Sequence, residues 1–274
     1  SRRDGLRARR DGDNVKSMAE LASLLPVIAL DTRSLALLEE GPVARRRLID
    51  QLMFHVEPDF LVLWRDYNRS LKQRNFNLRS GHFSEDDAWR SKLALAGERV
   101  ELARRRGVGR LQTELEGVLR ELSSDLGGCV ALEALSGWRS EISLEEALWR
   151  AERSDHSRGY TQVGPHRGDI SIAVGGRPAK LVVSRGQLRV LLTALKIAVG
   201  RLVDSVSREP SIYVADDLLS ELDASNTKSI CDALVSQGNQ VFTSMVSSDT
   251  AKFVWGGMSV DLFHVERGQV SILD

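Results

Sequence analysis

Ser211-Ile212-Tyr213-Val214-Ala215-Asp216-Asp217 is an apolar run that closes on two carboxylates. A run of this length and composition reads as a buried strand, and in an open α/β sheet its last residues reach the carboxyl edge where ligands bind. Asp216 is therefore a candidate metal-holding carboxylate. Ser220-Glu221-Leu222-Asp223 follows directly, and Ser184-Arg185-Gly186-Gln187 precedes the strand at the head of a long apolar-periodic helix. That four-residue turn supplies a capping hydroxyl, a glycine for close backbone approach and a helix N-terminus suited to a phosphate. Taken singly, the acid pair reads equally well as a strand end capping backbone amides, and the serine turn as a plain helix cap. The order of the three stretches along one α/β segment is what points to ATP chemistry with a magnesium ion. No Gly-x-x-x-x-Gly-Lys-Ser/Thr phosphate loop occurs in the 274 residues. The expectation is thus of a machine with one part missing, and a first residue of Ser1 suggests that the part lies upstream.

A chain of this length with 42% hydrophobic residues buries one large or two moderate cores. Lysine plus arginine equal aspartate plus glutamate at 38 each, so a polyanion has to be met by a local patch and not by overall charge. Cys129 and Cys231 stand far apart without ligand-like neighbours, which excludes a disulfide framework and a cysteine zinc site and fits a reducing cytoplasm. No apolar run reaches the roughly 20 residues that span a bilayer, so a membrane role is not expected.

Working outward, Val27 to Leu30 reads as a buried strand, and Gly41-Pro42 opens a helix through Arg45-Arg46-Arg47 and Leu48-Ile49. Phe60, Leu63, Trp64, Tyr67, Leu71 and Leu78 follow helical spacing, with Arg65, Arg69, Lys72, Arg74 and Arg79 assigned to an opposite basic face against a single Asp66. Trp89, Leu93, Ala96, Val100 and Ala103 form a second seam; it stumbles at Gly107 and Gly109 and resumes from Leu111 to Leu122. Two helices or one kinked helix are expected there, closed by Gly127-Gly128. Leu144 to Arg153 is helical, Tyr160 to Arg167 a loop, and Asp169 to Val174 a strand that Gly175-Gly176 turns into a hairpin partner at Ala179 to Val183. A helix near Asn226 to Ser236, a strand from Gln240 to Val246 and a terminal hairpin at Arg267-Gly268 complete an αβ order.

Several of these pieces together resemble the RecF family of bacterial recombination mediators, within the ABC/SMC-type ATPases. They are Gly41-Pro42 with Arg45-Arg46 and Leu48-Ile49-Asp50, Leu71-Lys72-Gln73-Arg74-Asn75, Gly164-Pro165-His166-Arg167 with Asp169, the Ser184 turn, and Asp216-Asp217 with Ser220-Glu221-Leu222-Asp223. The Leu71 and Gly164 motifs are not general to the wider group. The resemblance covers essentially the whole chain and implies an α/β fold: a partial ABC-type ATPase head, lacking its phosphate loop, with an inserted helical arm. The implied division is 1–42 as the end of a first ATPase lobe, 43–158 as the arm and 159–274 as the second lobe. The resemblance further implies an ATP-dependent homodimer in which Ser184, Arg185, Gly186 and Gln187 meet the partner's nucleotide. Asp216 then holds Mg2+, Asp217 polarises the attacking water in place of a usual glutamate, and Ser220 and Asp223 couple the two sites. Thr243 or Ser244 falls at the switch position, where neither is a strong base and a hydrogen-bond sensor is expected. Implied partners are double-stranded and gapped DNA and mediators of the RecO and RecR type, with the loading of RecA as the outcome.

For DNA, the candidates are Arg65, Arg69, Lys72 and Arg74, with the clusters Arg45-Arg46-Arg47 and Arg104-Arg105-Arg106, all as phosphate contacts without base reading. The alternative is a solvated helix face. No aromatic platform for single strands is evident in the sequence. His166 reads equally as a ligand contact or as a loop histidine bonded to backbone, and His55-x-Glu57 lacks the cysteines of a zinc deaminase. The competing function is an ATPase-derived scaffold that binds through its arm without turnover. A third possibility, another SMC-like ATPase with a short arm, requires the Leu71 and Gly164 motifs to be accidental.

Overall fold

The computed structural model describes residues 9, 10, 12–15, 21, 22, 24–81, 86–122, 124–207, 209–216, 222–245, 251, 254–256, 258 and 260–273. A small hairpin of β1 (Arg9–Arg10) and β2 (Asp13–Asn14) comes first, turning at Gly12, which has φ 91°. Then follow β3 (Val27–Leu30), α1 (Ala36–Glu39), α2 (Pro42–Val56), α3 (Phe60–Ser80), α4 (Asp86–Glu121), β4 (Val130–Leu135) and α5 (Leu144–Arg158). The remainder is β5 (Asp169–Val174), β6 (Arg177–Pro178), α6 (Ala179–Val182), α7 (Arg185–Asp204), β7 (Ile212–Ala215), α8 (Ala224–Val235), β8 (Val241–Thr243), β9 (Leu262–Glu266) and β10 (Gln269–Leu273).

The expected strand is the centre of a parallel sheet in the order β3-β7-β8, registered Leu30 with Ala215 and Ala215 with Thr243. Ile28, Leu30, Tyr213 and Ala215 point into the core, while the alternate residues Val27, Ala29 and Val214 are exposed, as the period of two requires. Tyr213 packs so closely on Gly200 of α7 that a methyl group there would collide with its hydroxyl. The carboxyl ends of β3, β7 and β8 share one edge, and the next residues along it are Asp31, Asp216 and Ser244.

A second sheet, β4-β5-β6, is antiparallel. Two expectations are corrected here. The hairpin partner of β5 stops after Arg177–Pro178, and Ala179 to Val182 turn into a helix with the Val183 amide donating to the Ala179 carbonyl at 3.1 Å. Proline has no amide to extend the ladder and suits a chain leaving it. Val130–Leu135, not foreseen as a strand, is built after Val130 from alanine, leucine and glutamate, all good helix formers. It is extended because β5 offers six registered partners, from Val130 with Val174 to Leu135 with Asp169.

The second seam is one helix of 36 residues running through Gly107 and Gly109. Glycine at 107 is a packing choice and not a break: a methyl there would meet the Met53 sulfur and approach Ile49 Cδ1 to 3.1 Å, so its absence lets α2 lie close. Position 109 faces open space. Leu93, Val100, Leu111, Leu115 and Val118 of α4 belong to one hydrophobic cluster that also takes in Leu52 of α2, Leu195 of α7 and Ile170 of β5. The core is therefore continuous across positions 42 and 158.

Candidate functional site

At the sheet edge the Asp216 amide donates to the Leu30 carbonyl at 3.0 Å, fixing the residue as a continuation of β7. Ser244, one residue beyond β8, donates its hydroxyl to Asp216 Oδ1 at 2.6 Å, and the Ser244 amide donates to the Ala215 carbonyl at 3.0 Å. The structure thus brings together the expected metal carboxylate and one of the two expected switch residues. Thr243, the other, has an enclosed hydroxyl with no hydrogen-bond partner among the described residues. Asp31, which sequence reasoning passed over, lies beside Asp216 in the row beyond the Leu30–Ala215 pair. Its signal was the same as for Asp216: an acid directly after a short apolar strand. On α7 the half-buried Lys196 has its pKa lowered by burial, with Asp31 acting to raise it, so a cation stands near this edge.

Asp217 and Ser220 lie outside the described residues. Asp223 caps α8: its Oδ1 accepts from the Asn226 amide at 2.9 Å and its Oδ2 from Asn226 Nδ2 at 2.6 Å, and these bonds to the charged form hold the carboxyl below its ordinary pKa. Among the described residues no group of three or more histidine, cysteine or acidic side chains is arranged to hold a metal. An exposed carboxylate with one oxygen occupied by Ser244 suits Mg2+ instead, which keeps most of its waters and takes one or two carboxylates plus phosphate oxygens.

The Ser184 turn is a capping box. Ser184 Oγ accepts from the Gln187 amide at 3.3 Å, and the Ser184 amide donates to Gln187 Oε1 at 2.9 Å. Ser184, Arg185 and Gly186 are exposed at the start of a 20-residue helix, and nothing lies within 4 Å of where a Gly186 Cβ would sit. The turn is therefore rigid, open and at the positive end of a helix dipole.

Most of the expected arginines have other work. Arg74 is fully buried and pairs at 2.6 Å with Asp155, itself fully buried, while also donating to Thr161 Oγ1 at 2.9 Å. This corrects its assignment to the DNA face. Phe60, Leu63, Tyr67, Leu71, Arg74 and Leu78 step by three and four, so Arg74 belongs to the apolar stripe, and the sequence already carried that sign. Arg45 clamps Asp169 through two bonds of 2.8 Å, Arg46 donates to the Gly168 carbonyl at 2.6 Å, and Arg104 holds Asp50 at 2.8 and 2.9 Å while donating to the Pro165 carbonyl at 2.7 Å. Arg105 pairs with Glu101 at 3.0 Å and Arg106 with Glu57 at 3.6 Å.

These clamps explain the two distinctive motifs as one structure. Asn75 Oδ1 accepts from both the amide and the hydroxyl of Thr161 at 2.8 Å. His166 lies 3.0 Å from the Thr161 carbonyl through Nε2 and 2.6 Å from the Tyr67 hydroxyl through Nδ1, so Nε2 carries the proton and Tyr67 donates to Nδ1. Burial pushes the His166 pKa down to about 4. His166 is the backbone-bonded loop histidine of the two readings.

What remains on the outer face of α3 is Arg65, Arg69, Lys72 and Arg79, all exposed and without an ion-pair partner among the described residues. No helix among the described residues is long and apolar enough to cross a membrane.

No protein-family model matches the chain. It is 38% identical over 271 residues to the DNA replication and repair protein RecF of Stutzerimonas stutzeri (strain A1501), which covers 98% of this chain and 73% of that protein. It is 38% identical over 268 residues to the DNA replication and repair protein RecF of Pseudomonas aeruginosa (strain LESB58), covering 96% and 72%. Among solved structures, the recombination mediator protein RecF with ATP, from the RecFOR pathway, superposes with a TM-score of 0.80 at 23% identity over 96% of this chain and 72% of that one. The same mediator with ATPrS gives 0.77 at 24% identity over 96% and 72%. These likenesses establish the fold.

Proposed function

Because the chain belongs to the RecF family, we propose that it serves DNA replication and repair as the arm-bearing and signature-bearing part of an ATP-gated recombination mediator. The observation that carries the reading is the joint presence, on one α/β frame, of an open capping-box turn at Ser184 and a carboxylate at Asp216 held by Ser244. ATP is the nucleotide in one of the solved relatives named above and ATPrS in the other, and a bound nucleotide of this kind would supply the phosphate charge that the helix terminus and the carboxylate edge suit.

In this reading 1–42 and 159–274 belong to the ATPase head and 43–158 to the arm, a division of roles and not of cores. Two copies assemble with the Ser184 turns facing the partner's nucleotide, and Arg185 and Gly186 offer free amides to a γ-phosphate. Gln187 keeps the turn in place through its bond to the Ser184 amide. Asp216 takes up Mg2+ through its water shell, and Ser244 reports on that carboxylate through the shared hydrogen bond. Thr243 supplies a hydroxyl whose bonding capacity is unspent. Asp217 polarises the attacking water, while Ser220 and Asp223 join the two sites across the dimer.

Arg65, Arg69 and Lys72 bind the phosphates of double-stranded or gapped DNA without reading bases. Partners of the RecO and RecR type receive the assembly in the cytoplasm and load RecA. The test is fluorescence anisotropy of a labelled duplex against salt. The expectation is an affinity that falls steeply with salt, and for the triple substitution Arg65→Gln, Arg69→Gln and Lys72→Gln a slope shallower by about three. Binding that ignores salt, or a triple variant with the parent slope, overturns the reading.

A further inference from the structure

We propose that the junction of the arm with the segment that follows it carries a stacking site for unpaired nucleobases, made by Phe76 and Tyr160 within a basic rim. It rests on the DNA-binding reading above and assigns the residues that take the unpaired bases of a gapped substrate. Sequence gave no platform because the two rings are 84 positions apart; the fold joins their segments. Asn75 accepts two hydrogen bonds from Thr161 at 2.8 Å, and a Cβ on Gly159 would lie 3.2 Å from Arg79 Cγ. The strip from Gly159 to Thr161 therefore runs along α3 between Asn75 and Arg79. Phe76 and Tyr160 each sit next to one of these contacts.

Both rings face water: Phe76 is 55% exposed and Tyr160 37% exposed. A phenylalanine left this open on a helix with a filled apolar stripe contributes nothing to the core, and neither ring stacks on another aromatic ring among the described residues. Around them the charge is one-sided. Positions 67–81 and 156–168 contain no aspartate or glutamate, in a chain that has 38 of them. Lys72, Arg79, Arg158 and Arg167 are exposed there without ion-pair partners among the described residues, and the Arg167 guanidinium lies 5.4 Å from the Tyr160 ring centre. Of the carboxylates on α5, Asp155 is buried and neutralised by Arg74, and Glu152 pairs with Arg90 at 3.5 Å. Open aromatic faces among cations fit a flexible anionic strand whose bases are free to stack. A duplex hides its base faces and gains only from the cations.

The experiment compares a labelled oligothymidylate of about 20 nucleotides with a duplex of the same length, by anisotropy at low salt, for Phe76→Ala, Tyr160→Ala, Phe76→Trp and Tyr160→Phe. Each alanine variant is expected to weaken the single strand roughly 5- to 100-fold and the duplex less than about twofold, while the aromatic replacements stay within about twofold of the parent on both. Circular dichroism checks that each variant is folded. Equal losses on both probes, or none on the single strand, overturn the stacking site while leaving the phosphate-binding reading standing. A parent chain that binds neither probe overturns that reading, and the stacking site with it.

Discussion

Replacing Arg74 by leucine should destabilise the protein severely and leave its interaction with duplex DNA untouched. Both Arg74 and Asp155 are fully buried, 2.6 Å apart, and Asp155 Oδ1 also accepts from the Gln162 amide at 3.1 Å. Arg74 further bonds Thr161, which Asn75 and His166 hold from other sides. Removing the guanidinium leaves a carboxylate in the interior with the backbone and side-chain amides of Gln162 as its donors, and breaking a buried pair from one side costs about 3–5 kcal/mol. For a chain of this size that corresponds to a fall in Tm of roughly 10 °C. Urea unfolding followed by far-ultraviolet circular dichroism reads the stability. The double substitution Arg74→Leu with Asp155→Leu should recover a good part of the loss, because no charge is then stranded. In anisotropy below the unfolding range, Arg74→Leu should keep the parent salt slope, whereas Arg69→Gln should lower it by about one. A stability loss under about 1 kcal/mol, or a salt slope that falls as it does for Arg69→Gln, refutes the buried-pair assignment.

The His166 pKa is held down to about 4, so between that value and the ordinary 6.5 the unfolded chain takes up a proton that the folded one refuses. Stability should then fall as pH drops from about 7 to 4, by on the order of 3 kcal/mol from this residue, and His166→Gln should flatten that part of the urea-derived profile. Gly109→Ala adds a methyl into open space on a helix and should stabilise by about 0.5–1 kcal/mol in the same assay. Gly137→Ala, whose methyl would run into the Gly164 carbonyl and approach the Gly168 amide to 2.7 Å, should instead cost several kcal/mol or prevent folding. Ser184→Ala removes the capping acceptor of α7 and should cost about 1 kcal/mol by thermal melting, while Ser184→Asp, which keeps a capping oxygen, should cost little.

The strand with its terminal carboxylate, the capping box, the long signature helix and the family were legible before any fold was known, because each is written in neighbouring residues. An apolar run closing on acids, a Ser-x-x-Gln spacing and an apolar step of three and four need no partner to be read. Where most of the charges are spent was settled by contacts across the fold. Arg45, Arg46 and Arg104 look, in sequence, like Arg65 and Arg69. They differ because Asp169, the Gly168 carbonyl and Asp50 reach them across the fold, and a buried cation survives only where such partners are supplied; Arg74 stood on the apolar stripe, but its partner Asp155 was not legible there. The extended state of Val130–Leu135, the pairing of Asp216 with Ser244 and the meeting of the Phe76 and Tyr160 segments have the same origin. Each depends on a contact between distant positions, and a one-dimensional pattern records the residues without recording which of them will meet.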